Sequence, residues 1–241
     1  MKKFAFLLTL LFALTFVACE KDSEKTSTVE TDLMITEDLT TVEDLVLDAE
    51  DEIEEIIEEG ILLEGEVEVR EDCPTRTVEP ADGSFPKTIT IDYGDACTSP
   101  RGREKSGQIV IVQSAPIREA GATRTITFVD YFVDGVNLQG TTTFVNNGNR
   151  SFTRGFDHKI VYPDGAEAMW TAEHTYTQIA GADTPRMFDD VIEITGFSSG
   201  TNRDGKTYSA EILEPLKKAK LCPWIVDGIR QVNRNGNVFT I

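Results

Sequence analysis

An all-β domain of antiparallel strands, forming a sandwich or a strongly curved, barrel-like sheet behind an acidic segment, is the fold this chain predicts. Three observations predict it. Polar and apolar residues alternate with a period of two through residues 87–93, 123–128 and parts of 136–145, the pattern of strands with one buried face. Asp-Gly pairs at 82–83, 134–135, 164–165, 204–205 and 227–228, with Asn-Gly at 147–148 and 235–236, tolerate the positive φ of tight hairpin turns. After Cys73 no comparable stretch carries a helical period.

At the N-terminus, Lys2 and Lys3 form a basic start, residues 4–16 an apolar run, and Val17-Ala18 a small-residue approach to a cut, the layout of an export signal. The run is too short to span a bilayer. A cysteine at the cut resembles the lipobox of bacterial lipoproteins, with Phe16 where that family usually carries Leu. The resemblance implies cleavage between Ala18 and Cys19 and acylation of Cys19, so that residues 1–18 are a lipoprotein signal peptide and the chain meets the membrane through acyl chains. The other reading is an ordinary secretory signal with a coincidental cysteine. Each buried methylene contributes ~0.8 kcal/mol, so several chains hold stably where one does not. Glu20, Lys21, Asp22, Ser23 and Glu24 follow, and this short acidic tract resembles the surface-export signal of Bacteroidota lipoproteins. That implies an outer-membrane protein displayed at the cell surface.

Residues 19–72 read as an acidic tether. The formal net charge of −19 is concentrated there: residues 20–72 hold 22 acidic and 3 basic side chains, whereas residues 73–241 hold 20 and 18. A nearly neutral domain without a basic stripe excludes nucleic acid as a partner. Ile35, Leu39, Val42, Val46, Ala49, Ile53 and Ile56 recur at steps of four and three, the spacing of a narrow helix stripe, with Thr36 placed to cap the start and Gly60 the end of a helix over 37–59. Against it, Glu50 with Glu54 and Asp51 with Glu55 are like charges four apart, each costing ~0.2–0.5 kcal/mol. The segment therefore reads equally as a helix or as a solvated spacer with fractional helicity, and docking onto the domain would decide for the helix.

The domain over 73–241 has turn signals for roughly ten strands, too many for one flat sheet. The stretches 87–109 and 189–205, with Leu216 and Cys222-Pro-Trp-Ile-Val-Asp-Gly, resemble a group of uncharacterised Bacteroidota lipoproteins. The group implies the address and the β-rich architecture and transfers no catalytic residue. Its members usually continue past residue 241 with another strand pair and a further cysteine, so the chain is expected to be truncated in mid-strand.

With Cys19 acylated, three thiols remain in an oxidising compartment, and the expected disulfide joins Cys73 to Cys97 across a predicted turn, leaving Cys222 buried and unpaired or awaiting a distal partner. No Cys-x-x-Cys spacing supports zinc, and no metal ligand or cofactor-binding residue is assigned. His158 and His174 are expected at the surface or rim, since no Gly-x-Ser-x-Gly elbow or His-Glu-x-x-His helix accompanies them. Asp189 and Asp190 are adjacent, and neighbours in a strand point apart, so they suit a loop better than a glycosidase pair. Trp170, Trp224, Tyr131, Phe132 and Tyr176 read first as core and second as a sugar-stacking platform. Arg101-Gly-Arg-Glu-Lys is a basic hairpin tip, read first as a solvated turn and second as a contact site for anions or for the acidic segment.

The functional expectation is a lipid-anchored, non-catalytic envelope protein whose β-domain binds an envelope protein or a glycan, at the surface or facing the periplasm. A glycan hydrolase and a purely structural envelope component are the alternatives.

Overall fold

The computed structural model describes residues 41, 45–46, 48–50, 52–53, 73–99, 102–183, 189–220, 222, 225–234 and 236–241. The segment 1–24, which holds the signal, Ala18, Cys19 and the export tract, lies outside the described residues, as do Arg101 and Trp224.

Among the described residues twelve strands follow in chain order: β1 (Thr75–Glu79), β2 (Lys87–Asp92), β3 (Cys97–Thr98), β4 (Glu104–Gln113), β5 (Thr123–Val133), β6 (Val136–Gly148), β7 (Ser151–Val161), β8 (Glu167–Ala180), β9 (Val191–Thr201), β10 (Thr207–Ala219), β11 (Asp227–Arg234) and β12 (Asn237–Thr240). They form one sheet, ordered as an antiparallel meander from β1 to β12, with β3 set aside to pair only with β4. A single, strongly curved sheet therefore stands in place of a two-sheet sandwich, and with β1 and β12 as its edges it is not closed into a barrel. Asp134-Gly135, Asp164-Gly165 and Asp204-Gly205 sit at turns, but Asn147-Gly148 falls at the end of β6, and the β6–β7 hairpin turns at Asn149-Arg150. Both of those residues have positive φ, 50° and 58°.

One face of the sheet is buried. Its residues alternate along each strand: Ile89 and Ile91 on β2, Ile109 and Ile111 on β4, Phe156, His158 and Ile160 on β7, Ala168, Trp170 and Ala172 on β8. On β5 the alternation slips, with Ile126, Phe128, Tyr131 and Val133 all buried, because a bulge at Asp130 shifts the register between Phe128 and Tyr131. One extra residue flips the face that follows it. Gly107 of β4 makes the bulge fit: a Cβ there would lie 2.0 Å from the Asp130 carbonyl oxygen. Val129 and Phe132 are left on the outer face, exposed.

The described residues between 41 and 53 are helical, and Leu45, Val46, Ala49 and Ile53 belong to the same buried cluster as the inner face of the sheet. Val46, Ala49 and Ile53 are members of the stripe read from the sequence. Cys73, just before β1, is bonded to Cys97 on β3, with Cα atoms 5.7 Å apart, within the normal span of a disulfide. Cys222 is buried, and in place of the unpaired thiol expected there the described residues hold no free cysteine. No helix among the described residues is long and apolar enough to cross a membrane.

Candidate functional site

Along β7 the inward row runs Ile160, His158, Phe156, Arg154, Phe152, and along β8 it runs Ala168, Trp170, Ala172, His174, Tyr176, Gln178. The first members of both rows are buried and the last are half-buried, so the inner face passes from packed core to open trough along its strands.

Acidic side chains of the helix meet cations at the packed end. Lys105, 1% exposed, contacts Glu52 and lies 2.8 Å from an Asp48 oxygen. Burial alone would lower the Lys105 pKa, but Tyr131 and the two carboxylates outweigh it and hold the ammonium pKa above its ordinary value. Arg103 bonds Asp134 at 2.9 Å and approaches Asp48 at 3.8 Å. Arg154 contacts Glu50 and lies 4.9 Å over the Phe156 ring. Of the readings of the basic tip, contact with the acidic segment is seen at Arg103 and Lys105, while Arg101 lies outside the described residues.

Beyond Arg154 the inner face opens into a cavity of about 290 Å³. Phe144, Phe152, Tyr176 and Ile192 supply its apolar lining. Phe144 and Phe152 stack at 5.0 Å between centroids, and Phe152 and Tyr176, direct partners across β7 and β8, stack at 4.9 Å with their planes 11° apart. Burial raises the Tyr176 pKa, and burial lowers that of His174, whose ring meets Tyr176 edge-on at 6.4 Å. Asn146, Arg150, Ser151, Gln178 and Asp190 supply the polar lining. Most of these are held by neighbours: the Asn146 amide donates to the Ile117 carbonyl at 2.9 Å, and the Gln178 amide donates to Asp190 Oδ1 at 2.9 Å. Arg150 donates from Nη2 to the Ala182 carbonyl at 2.9 Å.

The structure places the sequence candidates differently. Tyr131 and Trp170 are buried in the core and Phe132 is on the outer face, so these three do not form the sugar-stacking platform; among the described candidates Tyr176 alone reaches the cavity, and Trp224 lies outside the described residues. His158 is not a surface or rim residue. It is 2% exposed among Phe128, Phe156 and Trp170, with Nε2 3.0 Å from Thr142 Oγ1, and burial pushes its pKa down to about 4. Asp190 lines the cavity while Asp189 is exposed, so the pair does not act together. Among the described residues no group of three His, Cys, Asp or Glu side chains is placed to hold a metal ion.

Phe144 and Phe152 were not singled out by the sequence. Their signal was there, since both share the inward parity of their strands, but it is legible only once the hairpin is known to turn at 149–150. No family model, curated protein or solved structure matches the chain. The cavity is therefore interpreted from its own geometry.

Proposed function

We propose that this chain is a lipid-anchored envelope protein whose β-domain is a non-catalytic binding module, with the inner-face cavity as its ligand site. The observation that carries the binding role is the cavity itself, lined by both apolar and polar side chains. Small-molecule sites combine a mostly apolar concavity of ~300–1,000 Å³ with a few placed polar groups, and this one, at about 290 Å³, falls just below that range. Its described lining contains one carboxylate, that of Asp190, whereas glycoside hydrolysis needs two facing each other, which favours binding over the hydrolase. The anchor rests on Lys2, Lys3, the apolar run and Cys19.

Two measurements test the proposal. With Cys19 intact, cells fed an alkynyl palmitate should label the chain and the chain should sediment with outer membranes; Cys19→Ala should abolish both. Label that persists in Cys19→Ala would overturn the anchor. For the ligand site, chain purified from its own envelope should carry a small molecule by native mass spectrometry, and Phe152→Ala should lose it. Full retention in that variant would move the site elsewhere.

A further inference from the structure

We infer that the cavity takes a small amphiphile with an apolar body and one anionic head, the body lying against Phe144, Phe152, Tyr176 and Ile192 and the head meeting Arg150. The inference rests on reading this cavity as the ligand site. The rings themselves argue against a flat sugar. Phe144, Phe152 and Tyr176 are stacked on one another across three strands, so ring faces are turned toward neighbouring rings rather than offered to a pyranose. An apolar chain or body needs no free ring face and gains from any apolar surface it covers.

The charge of the head follows from which cations on this face are already neutralised. Lys105 has Asp48 and Glu52, Arg103 has Asp134, and Arg154 has Glu50. Arg150 has no carboxylate partner among the described residues; its observed bond goes to a carbonyl. A guanidinium carries five donors in a planar fork, so Arg150 keeps donors for a carboxylate or a similar anion. Asp190, which also lines the cavity, accepts a hydrogen bond from the Gln178 amide. Arg150 also occupies a left-handed position, φ 58°, where glycine would sit without strain. A long cation held at such a position of the turn, with its side chain lining the cavity, is placed to meet the outer end of an occupant.

Calorimetric titration of the full chain carrying Cys19→Ala, without detergent, separates the possibilities using octanoate, octanol and maltopentaose. Octanoate should bind about tenfold or more tighter than octanol, the margin of a charge-assisted contact. Arg150→Gln should erase that margin, as should Arg150→Gly, which suits the backbone of the turn and guards against a folding artefact. Phe152→Ala should weaken both eight-carbon probes. Equal affinity for octanoate and octanol, or a margin that survives both Arg150 variants, would overturn the anionic head. Maltopentaose bound and lost in Phe152→Ala would overturn the amphiphile while leaving the cavity as the ligand site. Failure of octanoate to bind would overturn the inference, and the envelope-purified sample decides separately whether the site is occupied by anything else.

Discussion

Two buried ionisable side chains set what single substitutions do here. Lys105 is a full charge inside the core, tolerable because Asp48 and Glu52 reach it from the helix. Removing one partner of a buried ion pair leaves an uncompensated charge and costs about 3–5 kcal/mol. Lys105→Met should lose that much stability in urea unfolding, and adding Asp48→Asn and Glu52→Gln should restore most of it; a loss under ~1 kcal/mol would mean that the cluster is hydrated. His158 is the opposite case, a base kept neutral. Its ordinary pKa of 6.5 falls to about 4 in the folded protein, because burial and then Arg154 oppose its charge. As pH falls below 6.5 the unfolded chain takes up a proton that the native chain refuses, so stability declines and levels off below about pH 4. The displacement corresponds to roughly 3 kcal/mol. His174, lowered for the same first cause, adds to the trend. His158→Gln, which keeps a partner for Thr142, should make the loss between pH 7 and 4.5 clearly smaller than in the parent, and an equal loss would remove His158 as its source.

At the scale of the element, the helix exists because the sheet receives it. Taken alone, its like-charge pairs oppose helix formation, and short isolated helices are marginal in water. Packed on the inner face, Ala49 and Ile53 are fully buried, while Asp48, Glu50 and Glu52 find cations of the sheet. Among the described residues, part of the apolar stripe is thereby buried, and Glu50, one of the acids that argued against the helix, gains a partner. Ile53→Ala should cost about 2–5 kcal/mol, as truncation of a buried aliphatic side chain does. Hydrogen exchange should show amides near residues 45–53 protected in the parent and released in Ile53→Asp. Rapid exchange there in the parent would show that the helix does not dock in solution. Glu50 engages Arg154, two residues along β7 from Phe152 of the cavity lining.

For the whole molecule, docking changes what an anchor at Cys19 permits. A tether that ran freely to the domain would reach well over 100 Å when extended, but one that joins the buried cluster of the sheet at Leu45 can reach no more than roughly 90 Å. If Cys19 is acylated as proposed, this shorter reach keeps the domain closer to the membrane than a free tether would. External protease on intact cells should cut the chain if it is displayed at the surface; survival in intact cells with cleavage only after lysis would assign it to the periplasmic face.

The strand periodicity, the Asp-Gly turns and the apolar stripe of residues 35–56 are local properties, and local physics is enough to read them. Alternation of period two needs only one buried face, and Asp-Gly needs only its tolerance of positive φ. The class of fold and a candidate helix were legible for that reason. The bulge at Asp130 was not, because it is defined by the register of β4 and β6 against β5. Nor was the turn at Asn149-Arg150, since Asn147-Gly148 offered the better local signal two residues earlier. The sequence by itself determined an antiparallel β-domain and offered an acidic helical stripe before it, with the anchor signal read at its start as a proposal. Only the tertiary structure decided that the strands form one curved sheet, that the helix fills part of its inner face, that His158 is interior, and that Phe144, Phe152 and Tyr176 meet at one cavity. The physical reason is that burial and charge pairing depend on neighbours from distant strands, whose register is set by the assembled sheet and not by any one segment of the chain.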